Sequence, residues 1–154
     1  IINSFINGDI IWGYKFDDSY IFNVNYENSK YELLNIFNFI SNNFVDVLII
    51  TIKKLFYFFF RVRPYYSDNH NFYLIFYNVF IYTTLLYCIL INTDKKLKFY
   101  CSLIIFLNSL IVMLTFADWS GRFSLYIMPI IFILSSIGAS KILLNFNYKK
   151  YLSK

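Results

Sequence analysis

Charged and metal-binding residues are scarce in this chain. One histidine and two cysteines in 154 residues leave no ligand spacing for a zinc site, which draws on several His, Cys or carboxylate groups at short intervals. Cys88 and Cys101 lie in or beside apolar runs and read as small buried hydrophobes rather than a disulfide. No metal and no cofactor is expected. Only 15% of residues are charged, against about 25% in an average soluble domain. The net charge of +5 does not point to nucleic acid, because the lysines and arginines gather at the ends of apolar segments rather than on one face of a soluble domain. No cationic n-region with a cleavage site stands ahead of Ile1, so no signal peptide is read.

What the chain has instead is apolar sequence: 58% hydrophobic and 23% aromatic residues, where soluble domains hold about 45–50% apolar residues. Three stretches carry no charge at all: 72–91, 99–116 and 123–140. The first is twenty residues long, about 30 Å as a helix, which matches the hydrocarbon thickness of a bilayer. The expected fold is an all-α membrane protein of about three transmembrane helices (72–91, 99–116, 123–144), preceded by an amphipathic interfacial helix and forming the C-terminal part of a larger multi-pass bundle.

Residues 1–30 are poorly periodic and read as short extended pieces between turns, with Asp17-Asp18 as a solvated turn. From 31 to about 60 the pattern becomes helical. Glu32, Asn35, Asn38, Asn42, Asp46 and Lys53 form a polar stripe on an apolar helix, with Ser29 and Glu32 as a capping box. Such a helix lies in the interface with its stripe toward water. The alternative is that 44–60 spans, but Lys53 and Lys54 at about 2.5–3.5 kcal/mol each roughly cancel the apolar gain. Pro64 ends the helix, and a polar loop follows to Asn71. In the last span Pro129 is expected to kink the helix. The small residues Ser135, Ser136, Gly138, Ala139 and Ser140 permit close packing inside a bundle.

Lys95, Lys96 and Lys98 share a side with the basic tail Lys149, Lys150 and Lys154, which the positive-inside rule assigns to the cytoplasm. The loops 61–71 and 117–122 then face outward. Cations there run against the usual bias. Arg63, His70, Asp118 and Arg122 are the candidate residues for holding a lipid phosphate, which arginine grips in a bidentate fashion. The competing reading is that these cations anchor helix ends by snorkelling. In the turn Ala117-Asp118-Trp119-Ser120-Gly121-Arg122 the acid stands four residues before the arginine and can orient it.

In order, Lys53 to Phe60, Arg61-Val62-Arg63-Pro64-Tyr65-Tyr66-Ser67, the hairpin 72–116, Asp118-Trp119-Ser120-Gly121-Arg122-Phe123 and Met128-Pro129 resemble the C-terminal part of bacterial GT-C glycosyltransferases. These are the multi-pass enzymes related to protein O-mannosyltransferases and the lipid A aminoarabinose transferase. The resemblance covers roughly 31–144. It implies a bacterial cytoplasmic-membrane enzyme, with its C-terminus cytoplasmic, that moves a sugar from a polyprenyl-phosphate donor. It also implies membrane lipids and missing N-terminal transmembrane helices as partners. In that family the catalytic acid lies in the first outward loop, to which nothing here corresponds, so no catalytic residue is assigned. The alternative is a non-catalytic membrane segment of a glycan polymerase, flippase or transporter. Only Asn78 and Asn108 interrupt the spans with polar groups, which weighs against a transport path.

Overall fold

The computed structural model describes residues 1–12, 14–15, 32–91, 94–117 and 121–152. These divide into two compact units, one of Ile1–Arg61 with Ser109–Arg122, the other of Val62–Asn108 with Phe123–Lys154.

The first unit opens with a one-turn helix α1 (Ile2–Ile6) and a short antiparallel hairpin of β1 (Asp9–Ile11) and β2 (Tyr14–Lys15). Away from β2, β1 meets the segment after the helix α5 (Lys95–Leu114). The Ala117 N–H donates to Ile10 O and the Trp12 N–H donates to Ala117 O, both at 2.8 Å. These bonds satisfy an edge that would otherwise expose unpaired backbone groups. Phe5, Ile10, Ile11, Phe39, Ile50 and Ala117 fill the core of the unit, and the Phe5 and Phe39 rings lie 6.4 Å apart.

The helical stretch expected from 31 to 60 is two helices, α2 (Glu32–Asn42) and α3 (Phe44–Phe60), bent by 96° at the break. Asn43 causes it. Its backbone leaves the helical region at φ −124°, ψ 33°, and its side-chain amide donates to Phe39 O at 3.1 Å. Asn43 keeps its ladder bonds, its N–H donating to Phe39 O at 3.1 Å and its C=O accepting from the Val47 N–H at 3.0 Å, so the change of direction lies in its backbone angles. α3 stops where Arg61 turns left-handed at φ 57°, three residues ahead of Pro64.

The second unit is built on α4 (Asp68–Leu90) and α7 (Met128–Leu152), which pack together. α4 begins four residues before the charge-free run because Ser67 caps it, its hydroxyl accepting from the His70 N–H at 3.4 Å. Asn78, Ile81, Thr84, Leu85 and Cys88, spaced three and four apart, form its buried stripe. Ile131, Leu134, Ser135 and Gly138 are buried on α7. The small residues divide between faces. Ser135 and Gly138 meet α4, whereas Ser136 and Ser140 are exposed and donate to the Ile133 and Ile137 carbonyls of their own helix. A Cβ on Gly138 would run into the Thr84 backbone carbonyl, so this approach requires glycine.

At the other end of α4, Lys98 Nζ donates to Ile89 O at 3.0 Å and Ile91 O at 2.6 Å. Asp94 Oδ1 accepts from the Lys96 N–H at 2.9 Å, capping α5. A four-residue helix α6 (Arg122–Leu125) precedes α7, which starts at Met128 rather than near Phe123. Pro129 therefore sits in the first turn of α7, where its missing N–H costs nothing, and not at a kink inside the span.

α4, α5 and the first 18 residues of α7 are long and apolar enough to cross a membrane. Their outer surfaces carry Phe72, Phe76, Phe80, Leu90, Phe106 and Ile133, all more than half exposed. Only 11% of the apolar stretch of α5 is buried within the chain. Apolar surface on this scale belongs against lipid or other helices.

Candidate functional site

The four residues named from the sequence meet different fates. Arg63 is 3% exposed, and its backbone is clamped by one side chain. The Arg63 N–H donates to Asn71 Oδ1 at 3.1 Å, and Asn71 Nδ2 donates back to Arg63 O at 2.9 Å. The guanidinium turns inward, Nη1 donating to Val62 O at 2.8 Å. It also hydrogen-bonds the Tyr65 hydroxyl and lowers that phenol's pKa, but desolvation and the Tyr66 hydroxyl outweigh it and the net shift is upward. Arg63 is thus a knot in the loop between α3 and α4 rather than a cation presented to solvent. A snorkelling side chain would be extended and wet.

His70 lies in the same unit, on the exposed first turn of α4, with its ring edge-on to Tyr66 at 4.6 Å. Tyr65 stacks edge-on against Tyr66 at 4.7 Å, so an aromatic cluster flanks the histidine. Such clusters suit a membrane–water interface. Arg122 belongs to the other unit, where it is exposed and opens α6. Gly121, buried ahead of it, has φ 73°, a conformation that strains any residue with a Cβ. Asp118 lies outside the described residues. Asp17-Asp18 and Ser29 do as well.

One group escaped the sequence reading. Lys54, expected to be part of a polar cost on α3, is fully buried at 0% exposure. Its ammonium donates to Thr115 O at 2.5 Å and to Ser4 Oγ at 3.4 Å, and stands 3.9 Å over the Phe5 ring. Ser4 Oγ in turn donates to Thr115 O at 2.7 Å. Burial pushes the Lys54 amine down from 10.5 to about 8, and the Asp9 carboxylate opposes that shift. Lysine spacing along α3 carries no sign of this, because the acceptors lie 50 and 61 residues away.

Among the described residues no three His, Cys, Asp or Glu side chains converge as metal ligands. The three long apolar helices, two of them joined by the buried hydroxyls of Thr84 and Ser135 and by the Gly138 contact, define a helical membrane protein. Comparison with protein-family models, curated proteins and solved structures finds no match.

Proposed function

We propose that this chain is the C-terminal membrane part of a glycosyltransferase that uses a polyprenyl-phosphate-linked sugar at the outer face of a bacterial cytoplasmic membrane. In this reading it supplies cationic contacts to the lipid phosphate and not the general base, which would reside in an acidic loop outside this sequence. The observation that carries the proposal is Arg122: exposed, set directly after a buried glycine at positive φ, and followed within a few residues by the apolar start of a spanning helix. A guanidinium at that depth meets lipid phosphates and can bind two oxygens at once. When the bond between sugar and phosphate breaks, negative charge grows on the phosphate oxygens, and a fixed cation lowers the barrier by neutralising it. His70, exposed beside Tyr66, is a second candidate contact, while Arg63 organises its loop.

The surface of α2 and α3 supports an interfacial setting for that pair. Leu33, Phe37, Phe44, Val45 and Ile52 are all more than half exposed on them, and the break at Asn43 leaves α2 with 11 residues and α3 with 17, the latter at the lower limit for crossing by itself. An apolar face with nothing of its own chain over it suits the headgroup–acyl boundary.

Native mass spectrometry of the purified chain tests the function. With added polyprenyl phosphate it should retain the lipid, and with the phosphate-free polyprenol it should not. Equal retention of both would remove the phosphate site. Sugar transfer by the chain alone would overturn the claim that the general base lies elsewhere.

A further inference from the structure

We propose that Lys54 is the positioning residue for the segment 115–117 that follows α5, on the way to Arg122: its ammonium closes the carbonyl end of α5 and so fixes where the chain leaves that helix. Thr115 immediately follows the last helical residue, Leu114. Carbonyls at a helix C-terminus have no partner within the helix and carry the negative end of its dipole. The Thr115 carbonyl takes two donors, Lys54 Nζ and Ser4 Oγ. Two residues on, Ala117 is locked through its N–H to Ile10 of β1 and through its C=O to Trp12 just beyond it. α1, β1 and α3 therefore converge on a three-residue stretch, with the lysine at the centre.

A lysine kept only for solubility would extend into water. This one gives up hydration, which is costly for an ammonium, and all three of its hydrogens have a partner: a carbonyl, a hydroxyl and the face of the Phe5 ring. Methionine would fill similar space without that cost, so what the charge adds is a directed bond to the end of α5. The charged and titratable groups on the surrounding elements are few. β1 presents Asp9. α3 itself carries Asp46, Lys53 and Tyr57, α2 carries Glu32 in its first turn, and α1 and 115–117 carry none.

That this positioning serves a lipid phosphate rests on the reading of Arg122 above; the experiment does not, because it observes α5 and not the lipid. The Thr115 carbonyl carbon is followed by NMR in detergent micelles from about pH 6 to about pH 10, a range that brackets lysine titration in a buried site. In the native chain it should show one transition centred at about 8. In Lys54→Met the transition should vanish. The Ala117 amide should then exchange roughly tenfold faster, a local opening, while the Ile131 amide of α7 keeps its protection. A native Thr115 signal that is flat across the range overturns the proposal, and this holds even if the variant does not fold. An Ala117 amide equally protected in Lys54→Met overturns it too. Joint loosening of Ala117 and Ile131 would reduce Lys54 to a general support of the fold. Loss of polyprenyl phosphate discrimination with these outcomes intact would defeat the phosphate reading alone.

Discussion

Thr84 and Ser135 face each other across α4 and α7 with 2.5 Å between their hydroxyl oxygens. Thr84 Oγ1 is also within 2.9 Å of Ile81 O and 3.1 Å of Phe80 O, so its proton has a home in its own helix as well. The pair is accordingly a modest tie. Ser135→Ala should cost about 0.6 kcal/mol and at most about 1.7, the range measured for hydrogen bonds between membrane helices. Gly138→Ala should cost more, about 1–3 kcal/mol, because it drives a methyl into backbone that cannot yield without separating the helices. Unfolding of both variants in mixed micelles, followed by helical circular dichroism, gives the order. A Gly138→Ala variant as stable as Ser135→Ala would mean that the close approach is not maintained.

Lys54 makes stability depend on pH in a defined direction. Its folded value of about 8 lies below the 10.5 of the free side chain, so between the two the unfolded chain binds more protons than the folded one. Stability from this group is therefore lowest and constant below about 8 and rises as pH climbs toward 10.5. The stability difference between the native chain and Lys54→Met should shift in favour of the native chain over that window, by up to about 3 kcal/mol. A difference independent of pH would show that the ammonium is not desolvated.

Sidedness can be read with single cysteines after replacing Cys88 and Cys101. A membrane-impermeant thiol reagent applied to intact cells should modify Asn69→Cys, in the exposed first turn of α4, but not Lys96→Cys at the exposed start of α5. Reversed labelling would put the lysine-rich turn outside and withdraw Arg122 from any external lipid phosphate.

Arg122→Lys separates a phosphate fork from an anchor. Lysine retains the charge and can snorkel, yet offers a point charge in place of two parallel donors. Retention of polyprenyl phosphate should fall about tenfold, the equivalent of roughly 1.4 kcal/mol. Undiminished retention would leave Arg122 as a topological anchor.

The spans were legible because absence of charge over a helix-length run is a local property, and α4, α5 and α7 overlie the three charge-free stretches. The stop before Pro64 was equally local. Details set by single side chains were harder to read. Asn43 lies next to Asn42 of the polar stripe, and helical spacing carries no sign that the backbone leaves the helical region there. Pro129 reads as a kink when α7 is counted from the last charge, whereas the turn at Tyr126 and Ile127 moves the proline into the first helical turn. Lys54 was the least legible, since its partners come from α1 and the end of α5. Of the candidate phosphate contacts, the exposure of Arg122 and His70 fitted their polar surroundings in sequence. The inward turn of Arg63 depends on Asn71 and Tyr65 closing around it.

The reversal between α4 and α5 has a bearing on biogenesis. Lys98 reaches back to carbonyls nine and seven residues earlier, and Asp94 caps the helix that begins one residue later. Among the described residues these bonds join groups no more than nine residues apart, so the corner can close while α7 is still unsynthesised. Contacts so near in sequence form fast and carry little loop-closure cost. The two helices would then reach the lipid phase joined by a closed corner, with polar backbone ends satisfied at the bend, while the packing partner of α4 is α7. α7 would dock afterwards through the Gly138 notch.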